Sequence, residues 1–308
     1  MGRNLRDIRR KMKAIKSTRQ VTKAMELVAA SKMRRAVNNA QMLRRYALSA
    51  WRILENLAEV HPGLHPYLTE RPAKKILAIL FTSDRGLCGS LNAQMFRMAS
   101  HYLKEVKALP EFEMLSFIAI GKKGQQFLAR SGEDVVAAFP ALSNHPAFRD
   151  ILPIARIATE GFLDGSWDSV VLLYSDFISA IAQEPTAKVL LPFTKSNLKT
   201  MLLSIIQRRH TRSEDLMKEE ESVAEYVFEP SQDEILRTIL PQLTEMQVFQ
   251  AVLEATASEH SARMVAMRNA SDNASDILDD LTLTYNQTRQ AGITAELAEL
   301  SASKAALD

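Results

Sequence analysis

The first part of the chain carries an uninterrupted helical pattern of apolar positions. Residues 3–61 contain no glycine and no proline, and the pattern repeats at steps of three and four, which is typical of an amphipathic helix and not of a strand. The stripe consists of Leu5, Ile8, Met12, Ile15, Thr18, Val21, Met25, Val28, Met33, Val37, Ala40, Leu43, Ala47, Ala50, Leu54 and Leu57. Such a helix would extend for roughly 90 Å, so it must project beyond a compact domain and needs a partner along its stripe.

A second stripe lies near the other end of the chain. Residues 242–291 also lack glycine and proline, and the pattern resumes after Gly292. Its members are Met246, Phe249, Leu253, Ala257, Met264, Met267, Ala274, Leu278, Leu281, Tyr285, Ile293, Leu297 and Leu300. We therefore predict that the two terminal helices pair along their stripes. The alternative is that each helix docks separately on another protein.

The charge of the two ends supports their pairing. Residues 1–57 hold 15 Lys and Arg against 3 Asp and Glu, a balance of +12, whereas residues 232–308 hold 5 against 12, a balance of −7. Opposite charge favours association of two amphipathic helices, although salt screens exposed pairs. A basic helix is also compatible with nucleic-acid binding. However, residues 1–45 contain no aromatic side chain that could stack on bases.

The middle of the chain changes to strand periodicity. Residues 75–82 form a near-continuous apolar run, as expected for a strand that is covered on both faces. Further strands are predicted at residues 114–120, 134–139, 169–174 and 188–191. Helices are predicted at residues 91–106 and at residues 147–163, the latter interrupted or kinked at Pro153, and a turn at residues 121–124 leads into a short helix that ends at Arg130. This alternation predicts a mainly parallel, Rossmann-like α/β sheet.

Four segments follow from these patterns. Residues 1–60 form the N-terminal coiled-coil helix and residues 74–193 the α/β domain. Residues 194–230 form an extended connector with an insertion, and residues 231–308 the C-terminal coiled-coil helix. Ser231 and Glu234 have the spacing of a capping box at the start of that last helix. Pro241 is expected to divide a short helical turn from its main part.

The loop after the first strand contains Gly86 and Gly89 but has no phosphate-loop spacing. Neither GxxxxGK[ST] nor GxGxxG is present, so the glycines are better explained by a tight turn. Cys88 is the only cysteine, which excludes an internal disulfide and a cysteine-rich metal site. No nucleophile–base pair is visible, and we expect no catalytic residue, cofactor or metal. No apolar run approaches the length of a membrane span.

Four stretches resemble the gamma subunit of F-type ATP synthase. They are RDIRRKMKAIKSTRQVTKAMELVAASKMRRA at residues 6–36, SDRGLCGSLN at 83–92, YVFEP at 226–230 and ASEHSARMVAMRNASDNASDILDDLTLTYNQTRQAGITAEL at 257–297. They occur in the order and with the overall spacing of that family. The resemblance implies a long antiparallel coiled coil of the terminal helices beside the α/β domain, and a role as the central rotor shaft. Alternatives from the residues alone are a nucleic-acid-binding coiled-coil protein and an independent α/β enzyme.

The resemblance also implies partners and contacts. The coiled coil would lie in the hexamer of alpha and beta subunits, and the sheet domain near the c ring and the epsilon subunit, on the cytoplasmic face of a bacterial plasma membrane. Met25 matches the position that touches the lever loop of beta, an acidic loop that Lys23, Lys32, Arg34 and Arg35 would meet electrostatically. Arg289, Gln290 and Thr294 match family positions that contact the beta catch loop. The tail at residues 293–307 would enter the apolar bearing, and Tyr226 and Glu229 match the foot that rests on the c ring.

Overall fold

The fold combines two very long terminal helices with a five-stranded sheet. The computed structural model describes residues 2–57, 65–142, 146–193 and 232–305. The helices are α1 (Gly2–Leu57), α2 (Leu91–Lys107), α3 (Lys122–Ser131), α4 (Phe148–Leu163) and α5 (Gln232–Ala305), with a short 3-10 turn at Pro66–Leu68. The strands are β1 (Lys75–Phe81), β2 (Met114–Ile120), β3 (Asp134–Phe139), β4 (Ser169–Phe177) and β5 (Gln183–Leu191).

The sheet has the order β3-β2-β1-β4-β5. The first four strands in this order are parallel to their neighbours, and β5 pairs antiparallel with β4. The central strand β1 is buried along nearly its whole length, because α2 and α3 cover one face of the sheet and α4 and α5 the other. The mainly parallel α/β sheet predicted from the sequence is therefore confirmed.

The chain divides into two compact units. One consists of residues 1–30 and 263–308, and the other of residues 31–262. The second unit contains the sheet, and residues of α5 such as Leu240 and Val252 belong to one of its two buried apolar clusters.

The first unit is an antiparallel pair of helices in constant register. An Arg9 guanidinium nitrogen donates to the Tyr285 hydroxyl at 2.7 Å, and Arg268 Nε donates to Glu26 Oε1 at 3.0 Å. Seventeen residues separate these contacts on each helix, so neither helix slips between them. This is the antiparallel coiled coil that the sequence resemblance implied.

Both prolines that were expected to disturb a helix lie inside continuous helices. Pro241 does not divide the C-terminal helix: it is a residue of α5, between Leu240 and Leu243, which are 0% and 4% exposed. Burial of these leucines offsets the backbone hydrogen bond that a proline cannot make. Pro153 likewise does not interrupt α4. The predicted capping residue Ser231 and the predicted insertion within residues 194–230 lie outside the described residues.

Candidate functional site

The glycine loop after β1 is closed by its own side chains. Asn92 Nδ2 donates to Ser83 Oγ at 2.7 Å and to Cys88 Sγ at 3.3 Å, and the Ser83 backbone N–H donates to Asn92 Oδ1 at 3.2 Å. Gly89 has a φ of 59°, so the tight-turn interpretation holds there. It does not hold at Gly86, because Gly86 does not have a positive φ. The other residue of the loop that does is Leu87, at 64°. The Cys88 thiol is 2% exposed and serves the packing of the loop.

Helix α5 occupies the crevice where open α/β sheets usually bind ligands. That crevice lies at the carboxyl ends of β1 and β4, where the chain crosses to opposite sides of the sheet. The cavity that remains there measures about 20 Å³ and is lined by Ser83, Ser175, Thr256 and Glu259, among others. This is room for roughly one water molecule and far too little for a nucleotide.

The line of buried positions between the two helices, called the seam below, includes polar residues as well as apolar ones. In the first unit, Thr22, Glu26 and Ala29 are 9%, 5% and 2% exposed, whereas Val21 and Val28 are 55% and 57% exposed. The predicted stripe through Thr18, Val21, Met25 and Val28 is therefore wrong by one position in this stretch. Steps of three and four from Leu5, Ile8, Met12 and Ile15 lead to Thr22, Glu26 and Ala29. On α5 the seam continues as predicted through Met264, Met267, Ala274, Leu278, Leu281 and Tyr285, with Ser271 in addition.

Two cations hold the buried Glu26 carboxylate. Lys23 Nζ lies 2.9 Å from Oε2 and Arg268 Nε lies 3.0 Å from Oε1, while the Glu26 side chain is 6% exposed. The hydrogen bond from Lys23, reinforced by Arg268, holds the pKa of Glu26 below its ordinary value despite the opposing effect of burial. The predicted contact of Lys23 with another subunit stays a prediction. Within this chain its ammonium belongs to the three-residue ion cluster, and its side chain is 58% exposed.

The pairing of Glu26 predicts a pH dependence for the helical pair. Its folded pKa is below the ordinary value of 4.5, so the stabilisation is fully present above about pH 4.5 and is lost as the pH falls below it. We expect amide hydrogen exchange at residues 22–29 and 264–271 to accelerate between pH 5 and pH 3, after correction for intrinsic rates. Glu26→Gln should remove that step, and a step of the same size in this variant would contradict the prediction.

An apolar surface with half-buried Met25 lies outside the seam. Val21, Leu27 and Val28 are 55%, 61% and 57% exposed, and Met25 is partly buried beside them on the same helix. In a monomeric soluble protein such side chains occur singly, whereas a group of them on one helix marks a contact surface. We call Val21, Met25, Leu27 and Val28 the apolar collar.

Three other predicted contact residues, Lys32, Arg34 and Arg35, belong to the second unit. Arg34 and Arg35 are exposed and Lys32 is half-buried, and none of the three pairs with an acidic side chain among the described residues. Their charges are thus available to an acidic partner.

The end of α5 extends beyond the described start of α1. The constant register of the first unit places Gly2 opposite Gly292, so residues 293–305 extend past the described start of α1 by roughly 20 Å. Ile293, Leu297 and Leu300 are 50%, 59% and 68% exposed on this extension. Arg289, Gln290 and Thr294 are also exposed at its base. Tyr226 and Glu229 lie outside the described residues.

Comparison with known proteins decides the family. A family model described as ATP synthase matches residues 4–307. The ATP synthase gamma chains of Roseiflexus castenholzii and of a second Roseiflexus strain are each 43% identical over 305 residues, which is 98% of this chain and 98% of theirs. The chain belongs to the ATP synthase gamma-chain family. Nothing in these comparisons supports the nucleic-acid alternative.

Solved structures agree with membership of the gamma-chain family. The central stalk and c-ring structure of the Tetrahymena thermophila mitochondrial ATP synthase contains a chain that is 27% identical, with a TM-score of 0.57, over 82% of this chain and 99% of that one. A chain in the rotor of the Euglena gracilis mitochondrial ATP synthase shares the fold at 21% identity and a TM-score of 0.59, over 95% and 100%. The gamma-chain family places this chain in the central stalk, as a subunit of a membrane-associated complex. None of the described helices is both long and apolar enough to cross a bilayer.

Proposed function

We propose that this chain is the rotating shaft that transmits torque between the ion-driven c ring and the catalytic sites of the alpha/beta hexamer. The observation that carries the proposal is the constant-register helical pair with an exposed apolar collar. Two helices that are fixed in register resist twisting better than one. Twisting the pair would make the helices slide along each other, and the contacts along the seam oppose this sliding. A collar without hydrogen-bond donors can slide past a partner without being held at one angle.

The proposed contacts divide into sliding and catching surfaces. Met25 and the rest of the collar would slide against the beta lever, and Lys32, Arg34 and Arg35 would attract its acidic side chains as it passes. Lys23 is a weaker candidate for this contact with the beta lever, because its charge is already paired with Glu26. Arg289, Gln290 and Thr294 would meet the beta catch loop, and the extension at residues 293–305 would enter the apolar bearing.

The remaining partners and the location follow from the same proposal. The sheet domain would lie near the c ring and the epsilon subunit, with Tyr226 and Glu229 at the foot, on the cytoplasmic face of a bacterial plasma membrane. The division into residues 1–60, 74–193, 194–230 and 231–308 stays a prediction. We infer that the chain has no catalytic site of its own, because α5 fills the crevice in which an α/β sheet would hold a substrate.

Reconstitution with alpha and beta subunits tests the proposal. We expect the chain to assemble with them and to support ATP hydrolysis that drives its rotation. Replacing Lys32, Arg34 and Arg35 together by glutamine should lower the rotation rate or the torque by roughly tenfold, because three partner-facing charges are lost. The loss should shrink at high salt, where the wild-type contacts are screened.

The matched control removes three other cations from the same helix. Lys11, Lys13 and Lys16 are exposed on α1 and have no assigned contact, so their replacement by glutamine should leave rotation within about twofold of wild type. Equal losses in both triple variants would argue against a charged catch at residues 32–35. Failure of the chain to assemble with alpha and beta would overturn the shaft function itself.

A further inference from the structure

A pocket in the second unit has several side chains in its lining that can donate hydrogen bonds. The cavity measures about 140 Å³ and lies between α1, α5 and the residue Pro146. Its polar lining comes from both helices and consists of Lys32, Arg35, Asn39, Thr256 and His260. Each of these side chains can donate a hydrogen bond, and two of them carry a full positive charge.

Among the described residues, no carboxylate lines this cavity to balance the charge. The two buried acidic residues of the adjacent stretch of α5 are not among its described lining: Glu259 lines the small cavity at the carboxyl ends of the strands, and Glu254 accepts a hydrogen bond from Gln250 at 2.9 Å. Lys32 and Arg35 are one turn apart on α1, so their charges repel each other when no anion is present. An anion between them would remove this repulsion and gain charge-assisted hydrogen bonds.

The depth and the volume of the pocket limit what it can hold. Thr256 and His260 are each 4% exposed, whereas Arg35 is exposed, so the pocket leads from solvent to buried polar groups on α5. At 140 Å³ it is smaller than the roughly 300–1,000 Å³ of pockets for drug-sized ligands, which excludes a whole nucleotide. A compact tetrahedral oxyanion fits both the size of the pocket and its polar lining, in which two side chains are cationic and each can donate a hydrogen bond.

We propose that this pocket binds inorganic phosphate. Arg35 supplies a planar pair of N–H donors to two oxygens, and Lys32 supplies a compact positive charge. The Asn39 amide, the Thr256 hydroxyl and the His260 imidazole N–H donate to the remaining oxygens. The site is separate from the shaft contacts in its chemistry, although it shares Lys32 and Arg35 with the proposed catching surface.

Phosphate titration of the full-length chain tests the site. With histidine ring carbons isotopically labelled, the His260 resonance should shift saturably as sodium phosphate replaces sodium chloride at constant ionic strength and pH, while that of His101 on α2 should not. Lys32→Gln and Arg35→Gln should each weaken the apparent affinity by about tenfold, the usual effect of losing one charge-assisted hydrogen bond.

Arg34→Gln is the matched control. Arg34 lies between the two cations in sequence, is exposed and does not line the cavity, so this variant should bind phosphate as wild type does. Equal weakening in Arg34→Gln would indicate a general charge effect and would overturn the site. A His260 resonance that responds to an acidic peptide but never to phosphate would also overturn it, in favour of a partner's carboxylate. Neither result would touch the central-stalk function, since no other subunit takes part in the measurement.

Discussion

Replacing Gly121 with alanine is expected to lower the free energy of unfolding by about 4 kcal/mol. Gly121 caps α3 with a φ of 89°, a conformation that side chains other than glycine rarely adopt. A Cβ added there would lie 2.1 Å from the Thr82 carbonyl oxygen and 2.8 Å from its carbon. These are backbone atoms at the end of a central strand, so they cannot rotate away, and overpacking adds to the backbone strain.

The turn at Gly121 joins three strands, which is why the loss should not stay local. Its N–H donates to the Phe139 carbonyl at 3.1 Å, and Thr82 N–H donates to the Ile120 carbonyl at 2.9 Å. Thr82 Oγ1 then accepts from Gly124 N–H at 2.7 Å. Displacing Gly121 therefore weakens the carboxyl ends of β1, β2 and β3 together.

Gly132→Ala is the control for the cost of positive φ alone. Gly132 ends α3 at a φ of 69°, but nothing lies within 4 Å of the position that its Cβ would take. It should lose only about 1 kcal/mol. Urea unfolding of the full-length chain, followed by the combined fluorescence of Trp51 and buried Trp167, compares the two variants. Similar losses would show that Thr82 yields and that the predicted clash is wrong.

The strands β1, β2 and β3 could be located from sequence because most of their residues are apolar, and in β1 and β2 all but the first residue are buried. The ranges of β2 and β3 were predicted as they occur, and that of β1 to within one residue. Strand β5 runs from Gln183, five residues before the predicted start at Lys188. Its first half, Gln183–Thr186, is mostly polar and contains a proline, so it lacks the apolar signal of a strand. Its pairing with β4 along the sheet edge is a tertiary contact that no local pattern records.

The position of α5 over the sheet was equally invisible to local patterns. A glycine loop after a first strand is typical of phosphate binding, and only its spacing argued against that function. The structure adds the physical reason, because Val252 and Thr256 of a helix more than 150 residues away occupy the crevice.

The error in the seam has a different origin. Counting apolar residues moved the predicted stripe onto Val21 and Val28, because Thr22 and Glu26 are polar and appeared to belong to the surface. A coiled coil fixes the geometry of its seam and not its chemistry, so polar residues are accommodated where they find partners. Thr22 Oγ1 donates to the Arg19 carbonyl at 3.0 Å, and Glu26 is held by two cations. The partner Arg268 is 242 residues away, which sequence spacing cannot reveal.

Glu26→Lys is therefore expected to open the helical pair around this position. The change places a third cation where Lys23 and Arg268 now converge on a carboxylate that is 6% exposed. We expect a loss of about 3 kcal/mol, at the low end for a broken buried pair, because Lys23 and Arg268 are themselves more than half exposed and water screens their repulsion. Amide protection should fall at residues 22–29 and 264–271, with little change in the sheet.

Two further variants separate charge from shape. Glu26→Gln keeps the size of the side chain and removes only its charge, so its loss should be about 1 kcal/mol. Adding Arg268→Glu to Glu26→Lys restores an opposite-charge pair across the seam and should recover most of the lost protection. If Glu26→Lys and Glu26→Gln lose the same amount, or if the charge swap recovers nothing, the ion cluster does not set the register. In a complex reconstituted with alpha and beta subunits, the opened helical pair should twist more under load. Glu26→Lys should therefore lower the torque measured on a bead attached to the shaft, and the charge swap should restore that torque.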